Sequence, residues 1–525
     1  MQRTWKRGRL ATPISKTARI AVLLLLLLAA AVLAGCTRSA AGAQPWRAAS
    51  GEDDVPVFPG DSTPRPAQVI GQTPSGPNYT PTPDVARVLP TPRLEEETYV
   101  VRPSDSLGVI AQRYGVALNS LIEANELVNP NLLEVGQVLT IPASDPLPTG
   151  PNVKIVPDSE LVYGPSTTAF DVRKYINDEN GYLNHYSEEL DGRTWYGPEI
   201  VLRVAQEYSV NPRLLLAVLE YRSGWVTNPG PSEESLQYPI LYFDARRQGL
   251  YRQLAWTANN LNRGYYLWRV NGIGSWILQD GSVVPIAPTL NAGTVGVQHF
   301  FSLLMEREAW EQAVTDDGLL ALYTRMFGYP FSYAYEPMIP ENLTQPTMQL
   351  PFEPGDTWSF TGGPHGGWAD GSAWAAIDFA PPGPALGCVP NDAWVVAVAD
   401  GEIIRTGTGA VVQDLDGDGL EQTGWTVLYM HVESRERVAP GTFVRAGDRI
   451  GHASCEGGIS TGTHLHLARR YNGEWIPADA DLPFNLDGWV SEGDGSGYEY
   501  NGYLVNNGTV VEAWEGRRDE NQISR

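Results

Sequence analysis

The last third of this 525-residue chain is cut by glycine-rich turns into short β-type runs. They read "AWVVAVADGEIIRTG", "GWTVLYMHV", "GTFVRAGDRIGHA" and "THLHLARRY". Strand-length apolar stretches bounded by glycine predict an antiparallel all-β domain, because no run is long enough for a helix and the turns are short enough for hairpins. The same segment holds five of the seven histidines, all between positions 365 and 466. In a strand, residues two apart share a face. His464 and His466 of "THLHLA" therefore project together, while Leu465 and Leu467 enter the core behind them.

Three further residues interrupt apolar or glycine-rich patterns in this domain. Asp378 sits in "AWAAIDFAPPG", His431 in "VLYMHVES" and His365 in "TGGPHGGWADG". A lone carboxylate in an apolar run needs a cation or hydrogen bonds, and imidazoles concentrated around it predict a metal site. His452 of "GHASC" has no pattern partner and is expected to be structural.

These residues resemble the lysostaphin/LytM-type zinc metallopeptidases, a family that cleaves peptidoglycan peptides. The similarity rests on "H…D", "Y-x-H" and "G-x-S-T-G-x-H-L-H-L". Most of that family has its first histidine four residues before the aspartate, where this chain has Trp374. Read that way, the site lacks a ligand and the domain is a non-catalytic envelope scaffold that binds peptidoglycan and activates other wall hydrolases. The β-lytic metalloendopeptidase/staphylolysin-like branch has a longer gap, and the thirteen residues from His365 to Asp378 fit it. On that resemblance His365, Asp378 and His466 would hold Zn²⁺ with an open position for water. His431 and His464 would serve as general base and oxyanion stabiliser in either order. The implied activity is hydrolysis of cross-bridge or stem-peptide bonds.

The hairpin "DLDGDGLEQTGW" places Asp414, Asp416 and Asp418 at positions 1, 3 and 5 of a Ca²⁺-loop pattern, with Gly419 at 6. Position 12 is Trp425 rather than glutamate and the flanks read as strands, so Ca²⁺ competes with a solvated acidic turn.

The chain opens on a basic leader and the apolar run "IAVLLLLLLAAAVLAGC". That run is shorter than the ~20 residues of a spanning helix and ends as a bacterial lipoprotein signal does. Residues 1–36 are thus expected to be a signal peptide with Cys36 as the lipidation site, against an uncleaved anchor or an ordinary cleavage site. All three export the rest of the chain. Export favours pairing of the two remaining cysteines, Cys388 and Cys455, over free buried thiols.

Residues 37–96 are rich in Pro, Ser, Thr, Gly and Ala and read as a linker. Residues 97–143 follow a βααβ order and resemble a LysM domain through "Y-V-V-x-x-x-D-S-L", "I-x-A-N" and "L-x-V-G-Q-V-L-T-I-P". That resemblance implies binding of N-acetylglucosamine-containing glycan. Residues 153–345 are expected to be mostly helical, with an Asn211-Pro212 turn starting one helix and others near 248–263 and 292–308. The phrase "VNPRLLLAVLEYRSG" is similar to the catalytic helix of lysozyme-like transglycosylases. Arg222 occupies the acid's position and cannot donate a proton. The segment therefore reads as a degenerate lysozyme-like domain or an unrelated helical one.

The β-domain spans 346–490, and 491–525 carries no chemical signal and reads as a C-terminal extension. A formal charge of −24 excludes a basic nucleic-acid footprint.

Overall fold

The computed structural model describes residues 95–525, apart from 103–104, 115, 128, 130–132, 144–148 and 385. The signal segment, Cys36 and nearly all of the linker lie outside the described residues. Among the described residues, no helix is long and apolar enough to cross a membrane.

The first module is built as the sequence predicts. Strands Glu97–Val100 and Val138–Ile141 pair antiparallel around helices Leu107–Tyr114 and Leu118–Ala124. Ile110, Ala111, Leu121, Leu139 and Ile141 form its core. The asparagine of "I-x-A-N" staples helix to strand: Asn125 Nδ2 donates to Leu121 O at 2.8 Å and Thr140 O at 2.7 Å, and its Oδ1 accepts from Thr140 N at 2.6 Å.

The middle domain is helical. Pro at the first turn and an Asn211 cap on Arg213 N (2.9 Å) start Pro212–Ser223, which ends at Gly224 in the left-handed region. The long helix Leu250–Arg269 packs on Ala292–Ser302 where Gly264 meets Gly296. A Cβ on Gly264 would come within 2.9 Å of the Gly296 Cα, so the crossing requires glycine there. Glu220, the one acid near the lysozyme-like position, accepts from Val226 N (2.9 Å) and Thr227 N (3.1 Å) and closes a helix end.

The C-terminal domain is a nine-stranded antiparallel sheet. Its main order is Thr442–Val444, Gly401–Gly407, Ala410–Asp414, Trp425–Met430, Leu465–Tyr471, Ala376–Ala380, Thr357–His365 and Gln522–Ser524. One face, with Phe360, Ile377, Phe379, Val427, Leu465 and Leu467, packs into the β-domain core. The other face, with Ala376, Leu428, Ala468 and Trp475, packs into the core of the helical domain. Two domains thus share one buried layer.

The separation of 491–525 as an extension does not survive folding. Trp489–Glu492 crosses that boundary and pairs with Tyr503–Asn506, and Gln522–Ser524 is the edge strand beside Thr357–His365. The Asn507-Gly508 turn between Tyr503–Asn506 and Thr509–Glu512 is a local hairpin signal, whereas the pairing of Gln522–Ser524 with Thr357–His365 is non-local and only tertiary structure decides it.

Candidate metal centre

Sheet register assembles the site. His466 lies directly opposite Asp378, and Leu465 and Leu467, both fully buried, hold the strand from behind. A register shift between Gly362 and His365 swings the end of Thr357–His365 over this pair. Gly362 is required there: a Cβ would sit 2.8 Å from Asp378 Oδ2 and 3.0 Å from its Cβ.

Three donor atoms converge. His365 Nε2 lies 2.9 Å from His466 Nδ1, and Asp378 Oδ1 lies 3.3 Å from each. The second nitrogen of each ring is already used. His365 Nδ1 pairs with Gly363 O at 2.8 Å, and His466 Nε2 with Gly367 O at 3.0 Å. A carbonyl can only accept, so those nitrogens carry the protons and the converging ones carry lone pairs. Asp378 Oδ1 is buried without a well-aligned hydrogen bond, despite both imidazoles at 3.3 Å. Three buried acceptors facing one another repel unless a cation lies between them. Tetrahedral Zn²⁺ with bonds of about 2.0–2.2 Å would space its ligands about 3.3–3.6 Å apart, close to the spacing found. The residues therefore fit a zinc ion, with backbone carbonyls orienting both histidines as metal sites require.

Burial alone would raise the Asp378 carboxyl, but His365 and His464 beside it hold it well below the usual carboxylate range. Burial lowers His365, and the opposing Asp378 charge outweighs it to leave a net rise. His466 is lowered by burial. His431 is pushed down to about 3 by burial and then by the neighbouring His464 and His466.

His431 and His464 stand next to this cluster. Their rings are 4.5 Å apart, His431 is 6.2 Å from the His466 ring, and His464 Nε2 is 3.7 Å from Asp378 Oδ2. His431 Nδ1 pairs with Glu456 O at 3.0 Å and His464 Nδ1 with Gly462 O at 2.7 Å, so both present Nε2 away from those carbonyls. His431 has φ +64°, a costly conformation for a non-glycine residue and one that clusters at functional sites.

Tyr500 and Thr463, missed in the sequence, and the expected Cys388–Cys455 pair complete the site. Tyr500, in the supposed extension, stacks on His365 with centroids 4.2 Å apart, and its carbonyl accepts from Gly363 N at 2.8 Å. Nothing in its polar loop signals this. Cys388 and Cys455 are disulfide-bonded, pinning the segment before His464 to the rim. Thr463 Oγ1 adds a bond to Val389 O at 2.6 Å. Trp374 lines a different, smaller cavity, so the shorter-gap alignment has no counterpart at the centre. His452 is engaged elsewhere, with Ala393 O at 3.2 Å and Glu436 Oε2 at 3.0 Å.

The hairpin carboxylates Asp414, Asp416 and Asp418 also come together, within 4.8 Å of one another. Asp414 accepts from Asp416 N and Gly419 N at 3.1 and 2.9 Å. Asp416 is pushed up to about 7 by burial and its two acidic neighbours.

Residues 99–142 match the LysM domain, 154–340 the N-terminal domain of LasA, and 383–477 peptidase family M23. The last match begins after Asp378, so it covers His431, His464 and His466 but neither His365 nor Asp378. The helical expectation for the middle domain stands, and the domain it matches is the N-terminal domain of LasA. Protease LasA of Pseudomonas aeruginosa (strain UCBPP-PA14) is 27% identical over 390 residues, 69% of this chain and 84% of that protein. Beta-lytic metalloendopeptidase of Lysobacter enzymogenes is 26% identical over 166 residues, 31% of this chain and 89% of that protein. Among solved structures, the M23 metalloprotease pseudoalterin aligns with 25% identity over 33% of this chain and 97% of its own, with a TM-score of 0.27. The chain therefore carries a LysM domain, a LasA-type N-terminal domain and a peptidase M23 domain, and is homologous to LasA protease and beta-lytic metalloendopeptidase.

Proposed function

We propose that the protein is a zinc-dependent endopeptidase that hydrolyses peptide bonds in peptidoglycan. The observation that carries this reading is the convergence of His365 Nε2, His466 Nδ1 and Asp378 Oδ1 with His431 and His464 alongside. His365, Asp378 and His466 would hold Zn²⁺, which supplies Lewis acidity toward the scissile carbonyl and toward water. His431 has its Nδ1 proton engaged by Glu456 O, so its Nε2 can accept a proton from the attacking water. Its depressed proton affinity keeps it neutral at pH 7, with the Nε2 lone pair unprotonated. His464, held by Gly462 O, presents Nε2 on the same side and, in its imidazolium form, can donate to the developing oxyanion or the leaving amine. The two roles are interchangeable in this geometry. Tyr500 keeps the His365 ring in place by stacking.

The rest of the chain suits work on a cell wall. The LysM domain would hold glycan near the cleft, and lipidation at Cys36 would tether the protein to a membrane of the cell envelope. The Asp414–Asp416–Asp418 hairpin is a second proposed cation site, for Ca²⁺. A rise in melting temperature with millimolar Ca²⁺, lost in Asp416→Asn, supports it, and an unchanged melting temperature refutes it.

The test of the main reading is metal analysis of the purified full chain together with release of new amino groups from peptidoglycan. One zinc per chain and amino-group release, both lost in His466→Ala, are expected. Zinc held tightly with no release would instead identify a wall-bound scaffold.

A further inference from the structure

The cleft that opens on the histidines, about 1540 Å³ in volume, has two unlike walls. One is the β-domain with its C-terminal loops. The other is the helical domain, through Arg203, Glu207, Tyr208, Arg247, Tyr251 and Trp256. This second wall is fastened in place. Trp475 is buried in the helical core, where its N donates to Tyr266 Oη at 3.0 Å. Arg470 of the histidine strand ion-pairs with Glu421 at 2.8 Å and also reaches Gln206 O at 3.3 Å. Arg263 grips Asp370, in the loop after His365, at 2.6 Å.

The cations lining this cleft differ in how they are used. Arg203 is committed to Asp191 at 2.7 Å and Glu207 at 2.8 Å. Arg517 donates to Pro381 O. Arg247 has its carboxylate neighbour, Asp244, no closer than 3.9 Å. That carboxylate is already taken by Arg246 through bonds of 3.1 and 2.9 Å. The Arg247 side chain keeps 44% exposure, and its charge is felt at the Tyr208 phenol on the same wall.

We propose that Arg247 is a specificity residue, the helical-domain anchor for a free carboxylate on the cell-wall peptide lying across the metal centre. This rests on the endopeptidase reading above. A guanidinium fork matches a carboxylate with two parallel hydrogen bonds. Tyr208, Tyr251 and Trp256 on the same wall lower the local dielectric and strengthen that contact. Acidic side chains elsewhere in the lining (Asp494, Glu499, Glu512 and Glu515) repel a carboxylate. A single cationic anchor on one wall then fixes the direction in which the peptide lies.

The experiment is titration calorimetry of the full chain with a synthetic peptidoglycan stem tetrapeptide and with its fully amidated analogue. The acid is expected to bind about tenfold more tightly, within the range of one charged hydrogen-bond pair. Arg247→Gln should erase that preference and Arg247→Lys retain part of it. Arg252→Gln, at an exposed arginine outside the cleft lining, should retain all of it. Equal binding of acid and amide by the unaltered chain, or a preference that survives Arg247→Gln, would overturn the inference. Binding is read without turnover, so the two failures separate. A chain that prefers the acid yet never hydrolyses peptidoglycan loses the endopeptidase reading. A chain that hydrolyses without the preference loses only the role of Arg247.

Discussion

Replacing Glu421 by Gln should loosen the joint between the helical and β-domains. Glu421 is 5% exposed and accepts from Arg405 Nε and Nη2 at 3.0 Å each and from Arg470 Nη2 at 2.8 Å. Burial alone would raise its carboxyl, but the two guanidiniums hold it below the usual range. The amide keeps the shape and removes the charge, leaving two buried arginines uncompensated. Breaking a buried pair in this way costs about 3–5 kcal/mol, and we expect a loss in that range. The assay is urea unfolding of the full chain at pH 7, followed by tryptophan fluorescence, since Trp475 and Trp268 are buried on either side of the joint. The pH dependence has a defined sign. A depressed carboxylate contributes stability above its unfolded pKa of about 4.5, lost as pH falls through the lower folded value. The difference between Glu421→Gln and the unaltered chain should therefore shrink below pH 4. Replacing all three residues by apolar ones should restore most of the loss, because no charge is then left stranded. A loss under about 1 kcal/mol for Glu421→Gln at pH 7 would refute the reasoning.

Gly362→Ala should displace the Asp378 carboxylate, since its Cβ would lie 2.8 Å from Oδ2, and weaken zinc binding about tenfold or more in competition with a chelator. Cys455→Ser opens a loop with 67 residues of sequence separation and should cost up to about 4 kcal/mol on the chain-entropy account, read as a lower urea midpoint under oxidising conditions. His299 is buried in the helical domain with neither ring nitrogen hydrogen-bonded, and burial pushes it down to about 3. The unfolded chain binds that proton below about 6.5 and the folded chain does not. Stability should therefore fall by about 2 kcal/mol between pH 7 and pH 5 through this residue alone. His299→Leu should flatten the profile by that amount, and an unchanged slope would show that His299 titrates normally.

Much was legible in the sequence because it is local. The βααβ order of the LysM segment, the Asn211-Pro212 helix start and the short strands of the β-domain follow from periodicity and turn residues. Leu465 and Leu467 alternate with His464 and His466, which fixes what faces the core before any partner is known. Asp378 and His431 announce themselves as polar breaks in apolar runs. Other features exist only in three dimensions. Which of His365 and Trp374 reaches Asp378 depends on a strand irregularity between Gly362 and His365, and local sequence does not encode register across a sheet. Tyr500 lies in a polar loop and the edge strand Gln522–Ser524 is three residues long, so neither announces its distant partner in the local sequence. The helical wall of the cleft arises because both faces of the sheet are apolar enough to bury, and the second face needed a covering layer that chain order alone does not assign.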